Sequence, residues 1–280
     1  MTITKLTIEP GAMSLDDLQA IHRGDLAGQP LKIEIAASAW ADVEASAAVV
    51  RRAAEGDAPV YGVNTGFGKL ASTRINEADL ATLQLNLIRS HSVGVGEPLA
   101  PAVLRLMLAM KAASLARGAS GVRPVVIRTL VAVFNAGLVP YVPSQGSVGA
   151  SGDLAPLSHM TLALIGEGEF LVPDPQRPDT LGKRLPAREV LAAAGIEPLK
   201  LAAKEGLALI NGTQTSTALA LHGLLSFEPV LEAALVIGAL TVDDARGSDR
   251  PLDPRIHALR GQPGQNDVAQ YYRSMLVGSE

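Results

Sequence analysis

Residues 146–157 read Gly146-Ser147-Val148-Gly149-Ala150-Ser151-Gly152-Asp153-Leu154-Ala155-Pro156-Leu157, a run that can build an electrophile from its own backbone. If the Gly152 amide nitrogen folds back onto the carbonyl carbon of Ala150, a five-membered ring closes around Ser151. Loss of two waters then leaves an exocyclic methylene where the Ser151 hydroxymethyl stood, and the product is a methylidene-imidazolone. Gly152 has no Cβ and reaches backbone geometries that other residues resist, while Ala150 keeps the attacked carbon uncrowded. Ser151 supplies the hydroxyl that leaves. Asp153 is placed to move protons during closure and dehydration, and Gly146 and Gly149 permit the strained loop that closure needs.

Two simpler explanations compete for this run. A hydrolase nucleophile elbow needs glycines two before and two after its serine; Gly149 fits, but Asp153 fills the second position, and no Ser-His-Asp relay is assignable. A Gly-rich structural turn would be the better explanation of an isolated tetrad. Three further segments weigh against it: Tyr61-Gly62-Val63-Asn64-Thr65-Gly66-Phe67-Gly68, Ser90-His91, and Lys204-Glu205-Gly206-Leu207-Ala208-Leu209-Ile210-Asn211-Gly212-Thr213-Gln214. The glycines at 62, 66 and 68 have neither a Gly-Lys-Ser/Thr ending nor dinucleotide spacing, which argues against a phosphate loop. His22, His159, His222 and His257 lack ligand spacing, so no metal site is expected.

Taken together and in order, these segments resemble the aromatic amino acid ammonia-lyases, and most of all their histidine-specific members. The resemblance implies that Ala150, Ser151 and Gly152 form the methylidene-imidazolone, assisted by Asp153, with no dissociable cofactor. It implies that Tyr61 is the base taking a proton from the substrate Cβ, a role that a positive field or helix N-terminus would favour by stabilising the phenolate. His91, in a Ser-His pair, would face the substrate side chain, where an imidazole can donate or accept a hydrogen bond. Asn211 would lie against the ring or the bound amino acid. The implied reaction eliminates ammonia from L-histidine to give trans-urocanate in a homo-oligomer, a tetramer in the family. Weaker alternatives are a tyrosine or phenylalanine lyase and an aminomutase.

Without the resemblance, Tyr61 reads as a packing residue, His91 as a helix-terminal histidine favoured by the dipole, and Asn211 as a helix cap. The resemblance also implies that this chain, ending at Gly278-Ser279-Glu280, is an N-terminal portion. A downstream Gln/Tyr/Arg motif, a later phenylalanine and glutamate, and the long C-terminal helices would be missing. An inactive fragment, with apolar helix faces left to be solvated or to self-associate, is therefore the chief alternative.

Composition sets the outer bounds. The 280 residues are 48% hydrophobic but only 3% aromatic, with a formal net charge of -4 and no cysteine. A core of Ala, Leu, Val and Ile favours closely packed helices over an aromatic-rich sandwich. The mild acidity and lack of basic runs argue against nucleic acid and anionic membranes, leaving small molecules as expected partners. Absence of cysteine fits a reducing compartment, and Met1–Pro10 lacks a signal-peptide pattern, so cytoplasm is expected. Apolar helices interrupted by Arg105, Lys111 and Glu232 are expected to fall short of a membrane span.

The expected fold is mainly α, with a mixed α/β region over 1–150 carrying the Tyr61 and His91 segments, followed over 151–280 by a helical bundle portion that begins at the ring-forming loop. Leu6–Ile8 and Leu31–Ile35 read as strands around a helix capped by Ser14, with Asp16 and Asp17 in its first turn. Further helices are expected over 37–55, 77–91, 99–117, 124–136, 156–166, 187–194, 200–210, 214–225, 228–245 and 264–276. Gly118, Gly137 and Gly195 mark helix stops. Val172–Pro186, with Pro173, Pro175, Pro178 and Gly182, reads as a surface excursion and a candidate hairpin.

Overall fold

The computed structural model describes residues 4–26, 28–172 and 182–279. Strand β1 (Thr4–Ile8) leads into helix α1 (Leu15–Arg23), whose start is the expected one. Ser14 accepts from Asp17 N–H while the Asp17 carboxylate accepts from Ser14 N–H, a reciprocal capping box that satisfies two otherwise orphaned donors. Strands β2 (Asp25–Leu26) and β3 (Gln29–Ile35) follow, and β3 pairs parallel with β1, Leu6 opposite Ile33. Helices α2 (Ala39–Glu55) and α3 (Glu77–His91) come next. A short strand, β4 (Val95–Pro98), then precedes α4 (Pro101–Leu115).

Helix α4 is the centre of the core. Val103, Leu104, Leu106, Met107 and Leu108 are all buried, and each such side chain removed from water contributes about 1.5–3 kcal/mol. Its largely apolar character follows from being enclosed by other elements. Helix α5 (Pro124–Asn135) packs beside it, with proline at its first position where the missing N–H costs nothing. The expected helix stops hold: Gly118, Gly137 and Gly195 all take positive φ.

Strands β5 (Val139–Pro140) and β6 (Pro143–Gln145) lead to the ring-forming run, after which α6 (Leu154–Leu164) begins. Strand β7 (Glu169–Val172) then pairs antiparallel with β8 (Lys183–Pro186), as the hairpin expectation required. Its intervening prolines at 173, 175 and 178 lie outside the described residues. Helices α7 (Ala187–Ala193) and α8 (Glu205–Ile210) follow, the latter shorter than the expected 200–210. Short strands thus continue beyond residue 150.

Two expectations are corrected in the last quarter of the chain. The helices expected over 214–225 and 228–245 are one helix, α9 (Gln214–Asp244), which continues through Pro229. One proline removes a single hydrogen bond and strains one turn, which a helix of 31 residues absorbs. As a result, Glu205–Asp244 contains a window of mean hydropathy 1.7, only 11% buried, that is long and apolar enough to cross a membrane. This overturns the expectation, drawn from charges such as Glu232, that the apolar helices fall short of such a span. Helix α10 (Pro254–Arg260), not expected from sequence, precedes α11 (Pro263–Met275).

The chain forms two compact units, Met1–His222 and Gly223–Glu280. The first holds the core just described. Within the second, Asp253 caps α10 through Arg255 N–H, and buried His257 donates to the Pro251 carbonyl and accepts from Gln265. A Cβ on Gly238 would overlap the Tyr272 hydroxyl, so that glycine is what lets Tyr272 pack there.

Candidate active site

The ring-forming run hangs between β6 and α6, and its two ends are held differently. Residues 144–151 are exposed, Val148 at 85%, whereas Asp153 is 3% exposed. At the entry, β6 pairs with β4, setting Gln145 opposite Val95. Gly94 N–H donates to His159 Nε2 on α6 at 2.9 Å, and burial holds the His159 imidazole below its ordinary pKa, so it remains the acceptor.

At the exit, Asp153 N–H donates to the Gly212 carbonyl at 2.7 Å. The Asp153 carboxylate accepts from Ser147 Oγ at 3.2 Å and from both the N–H and the Oγ of Ser216, each at 2.7 Å. Ser216 lies in the first turn of α9, where free backbone donors and the helix dipole favour an anion. Asp153 therefore starts α6 in sequence while its side chain caps α9, drawing the loop onto Asn211-Gly212. Asn211 Nδ2 donates to the Ser151 carbonyl oxygen at 2.6 Å.

These residues fit the ring they are expected to form. Gly152 has φ +100°, and a Cβ on it would overlap the Gly212 carbonyl oxygen, so only glycine enters this cradle. The Ser151 carbonyl, which would become the ring carbonyl on closure, has a donor in Asn211. Ala150 and Ser151 face outward, leaving the Ser151 hydroxymethyl accessible.

The structure brings Ala150, Ser151, Gly152, Asp153 and Asn211 together. Tyr61 and His91 make no hydrogen bond to this group among the described residues. Tyr61 is 56% exposed and meets Phe67 edge to face, with ring centroids 6.1 Å apart. Its loop is built around buried Asn64, which accepts from Val60 N–H and donates to the carbonyls of Ala53, Gly56 and Ala58. A Cβ on Gly62 would press on Leu207, so the loop lies close against α8, whose far end is Asn211. His91 ends α3 with Nδ1 2.9 Å from the Leu87 carbonyl. The Ser90 hydroxyl, 3.1 Å from the same Nδ1, shares this position, and no hydrogen bond to Nε2 is present among the described residues.

Several groups that shape the site carry no sequence signal. Buried Lys111 reads as one charge in an apolar helix, Ser216 as an ordinary helix residue, and His159 as a lone histidine. Glu205, 1% exposed, accepts from Arg123 N–H, from its guanidinium and from Ala202 N–H, fixing the start of α8. A cavity of about 610 Å³ lined by Val50, Leu80, Pro124 and Leu201 does not include the ring-forming loop. Among the described residues no group of three His, Asp or Glu side chains is arranged to hold a metal.

Comparison with known proteins shows the family. The family profile for aromatic amino acid lyases matches residues 13–280. A histidine ammonia-lyase of Aromatoleum aromaticum is 52% identical over 277 residues, 99% of this chain and 50% of that protein. The crystal structure of histidine ammonia-lyase from Trypanosoma cruzi superposes with a TM-score of 0.86 at 40% identity, covering 96% of this chain and 50% of its own. Tyrosine aminomutase from Streptomyces globisporus gives 0.86 at 33% identity, covering 97% and 49%. The chain spans about half the length of the relatives it matches, and on this evidence it belongs to the aromatic amino acid lyase family.

Proposed function

We propose that this chain supplies the ring-bearing part of a histidine ammonia-lyase, which eliminates ammonia from L-histidine to give trans-urocanate. The observation that carries this reading is the pinned loop, with Asn211 Nδ2 on the Ser151 carbonyl and Gly212 on Asp153 N–H. The methylidene-imidazolone of Ala150, Ser151 and Gly152, once formed, supplies an electrophilic methylene for the substrate amine.

The remaining work falls to ordinary side chains. Asn211 aims a donor at the oxygen where negative charge gathers, and α6 begins two residues after Gly152, adding its positive end. Tyr61, with an exposed ring, takes the Cβ proton. His91 exchanges a hydrogen bond with a ring nitrogen of the substrate imidazole, which a phenyl or phenol ring lacks. The 52% identity to a histidine ammonia-lyase supports histidine over tyrosine or phenylalanine.

The exposed apolar row on α9, including Leu224, Phe227, Val230, Leu231, Ile237 and Leu240, supports assembly of copies, a tetramer on the family pattern. Glu228 and Glu232 interrupt that row and disfavour a lipid environment. We place the protein in the cytoplasm. A second reading rests on the chain spanning half the length of its relatives: these residues build the loop but do not turn over substrate by themselves.

Urocanate absorbance with L-histidine, against the corresponding products from tyrosine and phenylalanine, tests the first reading. Turnover restricted to histidine supports it, and preference for an aromatic ring without nitrogen overturns the role of His91. Ring formation without turnover supports the second.

A further inference from the structure

Helix α4 carries one buried charge that the ring-forming residues do not explain. Lys111 is 1% exposed on a largely apolar helix. Its ammonium has three donors and one protein partner, the Ala208 carbonyl at 3.3 Å. It lies 3.1 Å from the point where a Cβ on Gly212 would stand, and the buried, unpartnered Gln214 Oε1 crowds the same point. The Gly212 carbonyl oxygen receives Asp153 N–H and closes the cradle under Gly152.

A buried ammonium with so few partners needs a counter-charge. Near α4 and α8, Arg105 donates to the carbonyls of Ile21 and His22, and Glu205 holds Arg123. Among the described residues, Asp153 is the titratable group whose field acts on Lys111. Gly212 links the two: Lys111 Nζ stands beside its Cα, and its carbonyl oxygen receives Asp153 N–H.

We propose that Lys111 is a positioning residue for closure of the Ala150-Ser151-Gly152 ring, its ammonium backing Gly212 and balancing the buried Asp153 carboxylate so that the cradle holds Gly152 in place. This rests on the ring-forming reading of the loop. In that closure the Gly152 nitrogen bonds to the Ala150 carbonyl carbon, and the Ala150 oxygen leaves as water with the Gly152 and Ser151 amide protons. The Ser151 Cα–H and its hydroxyl leave as the second water. No oxidant is consumed, and Lys111 touches none of the reacting atoms.

Burial pulls the Lys111 amine down to about 7, with the Asp153 charge opposing that pull. The ammonium is thus present below that pH and lost above it, so closure should slow as pH rises through 7. The test follows the full chain after a short cell-free synthesis pulse, diluted into buffers on either side of pH 7, with intact mass reporting loss of two waters. Wild-type closure is expected to slow about tenfold per pH unit on the alkaline side. Lys111→Arg, charged throughout, should lose that fall, and Lys111→Met should close at least about tenfold more slowly at acid pH.

A wild-type rate that stays flat across pH 7 overturns the proposal without any variant. So does a folded Lys111→Met chain with the wild-type rate and profile. If wild type never loses two waters, the ring-forming reading itself fails and this inference falls with it. If Lys111→Met melts out, the contrast between wild type and Lys111→Arg decides.

Discussion

Asn211 donates its side-chain amide to the carbonyl oxygen of Ser151 at 2.6 Å, joining the end of α8 to a loop 60 residues earlier in the chain. The contact places a hydrogen-bond donor on the oxygen that the proposed closure would make the ring carbonyl. Replacing Asn211 by Leu should lower turnover of L-histidine by about 10²-fold or more, the usual cost of losing one preorganised donor. Intact mass should still report loss of two waters, because Asp153 and Gly212 continue to hold the loop. Unchanged turnover would remove Asn211 from the proposed chemistry.

Gly152→Ala tests the cradle itself. The added Cβ would meet the Gly212 carbonyl oxygen, and φ +100° is strained for any other residue. Because Gly152 lies in a partly exposed loop outside the core, the variant should retain its helical circular dichroism yet show the mass of an unmodified chain. Full dehydration of Gly152→Ala would contradict the geometry described.

Stability should depend on histidine protonation near neutrality. His22 is held below its ordinary value of 6.5 by burial first, then by the charges of His222, Arg105 and Arg23. His159 is lowered from 6.5 by burial. In both cases the folded chain binds its proton less readily than the unfolded chain, so stability is fully present above about 6.5 and lost as pH falls below it. The melting temperature should therefore drop between about pH 7.5 and about pH 5.5, and His159→Gln should lessen the drop. A melting temperature that rises over that range would reverse the assignment.

The Arg123–Glu205 pair is the structural brace of α8. Arg123 is about half exposed while Glu205 is 1% exposed, and the bond to Glu205 raises the guanidinium pKa further. Glu205→Gln should cost about 3 kcal/mol in urea unfolding, near the lower end for breaking a buried pair because Arg123 can still reach water. A loss below about 1 kcal/mol would mean the pair behaves as an exposed one.

Local chemistry made much of this chain readable before its structure. The Ser14 cap, the strands around Ile8 and Ile35, and the helix ends at Gly118 and Gly137 all follow from signals carried within a few residues. The break expected at Pro229 failed because a local rule met a long helix able to absorb one lost bond. Helix α10 had its signals, Asp253-Pro254 at the start and Gly261 at the stop, but is too short to show periodicity.

At the site, the tetrad and Asn211 were legible as a motif. Their meeting depends on contacts far apart in sequence: Asp153 to Ser216, Asn211 to Ser151, Lys111 behind Gly212. No periodicity encodes such contacts. A lysine in a largely apolar helix looks like an interruption until its position beside Gly212 is seen.

The central claim is that Ala150, Ser151 and Gly152 close into a methylidene-imidazolone within the folded chain. The most direct measurement is the intact mass of the purified, folded protein beside that of Ser151→Ala, with the modification located by peptide mapping. Wild type should be lighter than its sequence mass by two waters, confined to the peptide containing residues 150–152, and Ser151→Ala should not undergo the second dehydration. A folded wild-type chain at its full sequence mass would contradict the account.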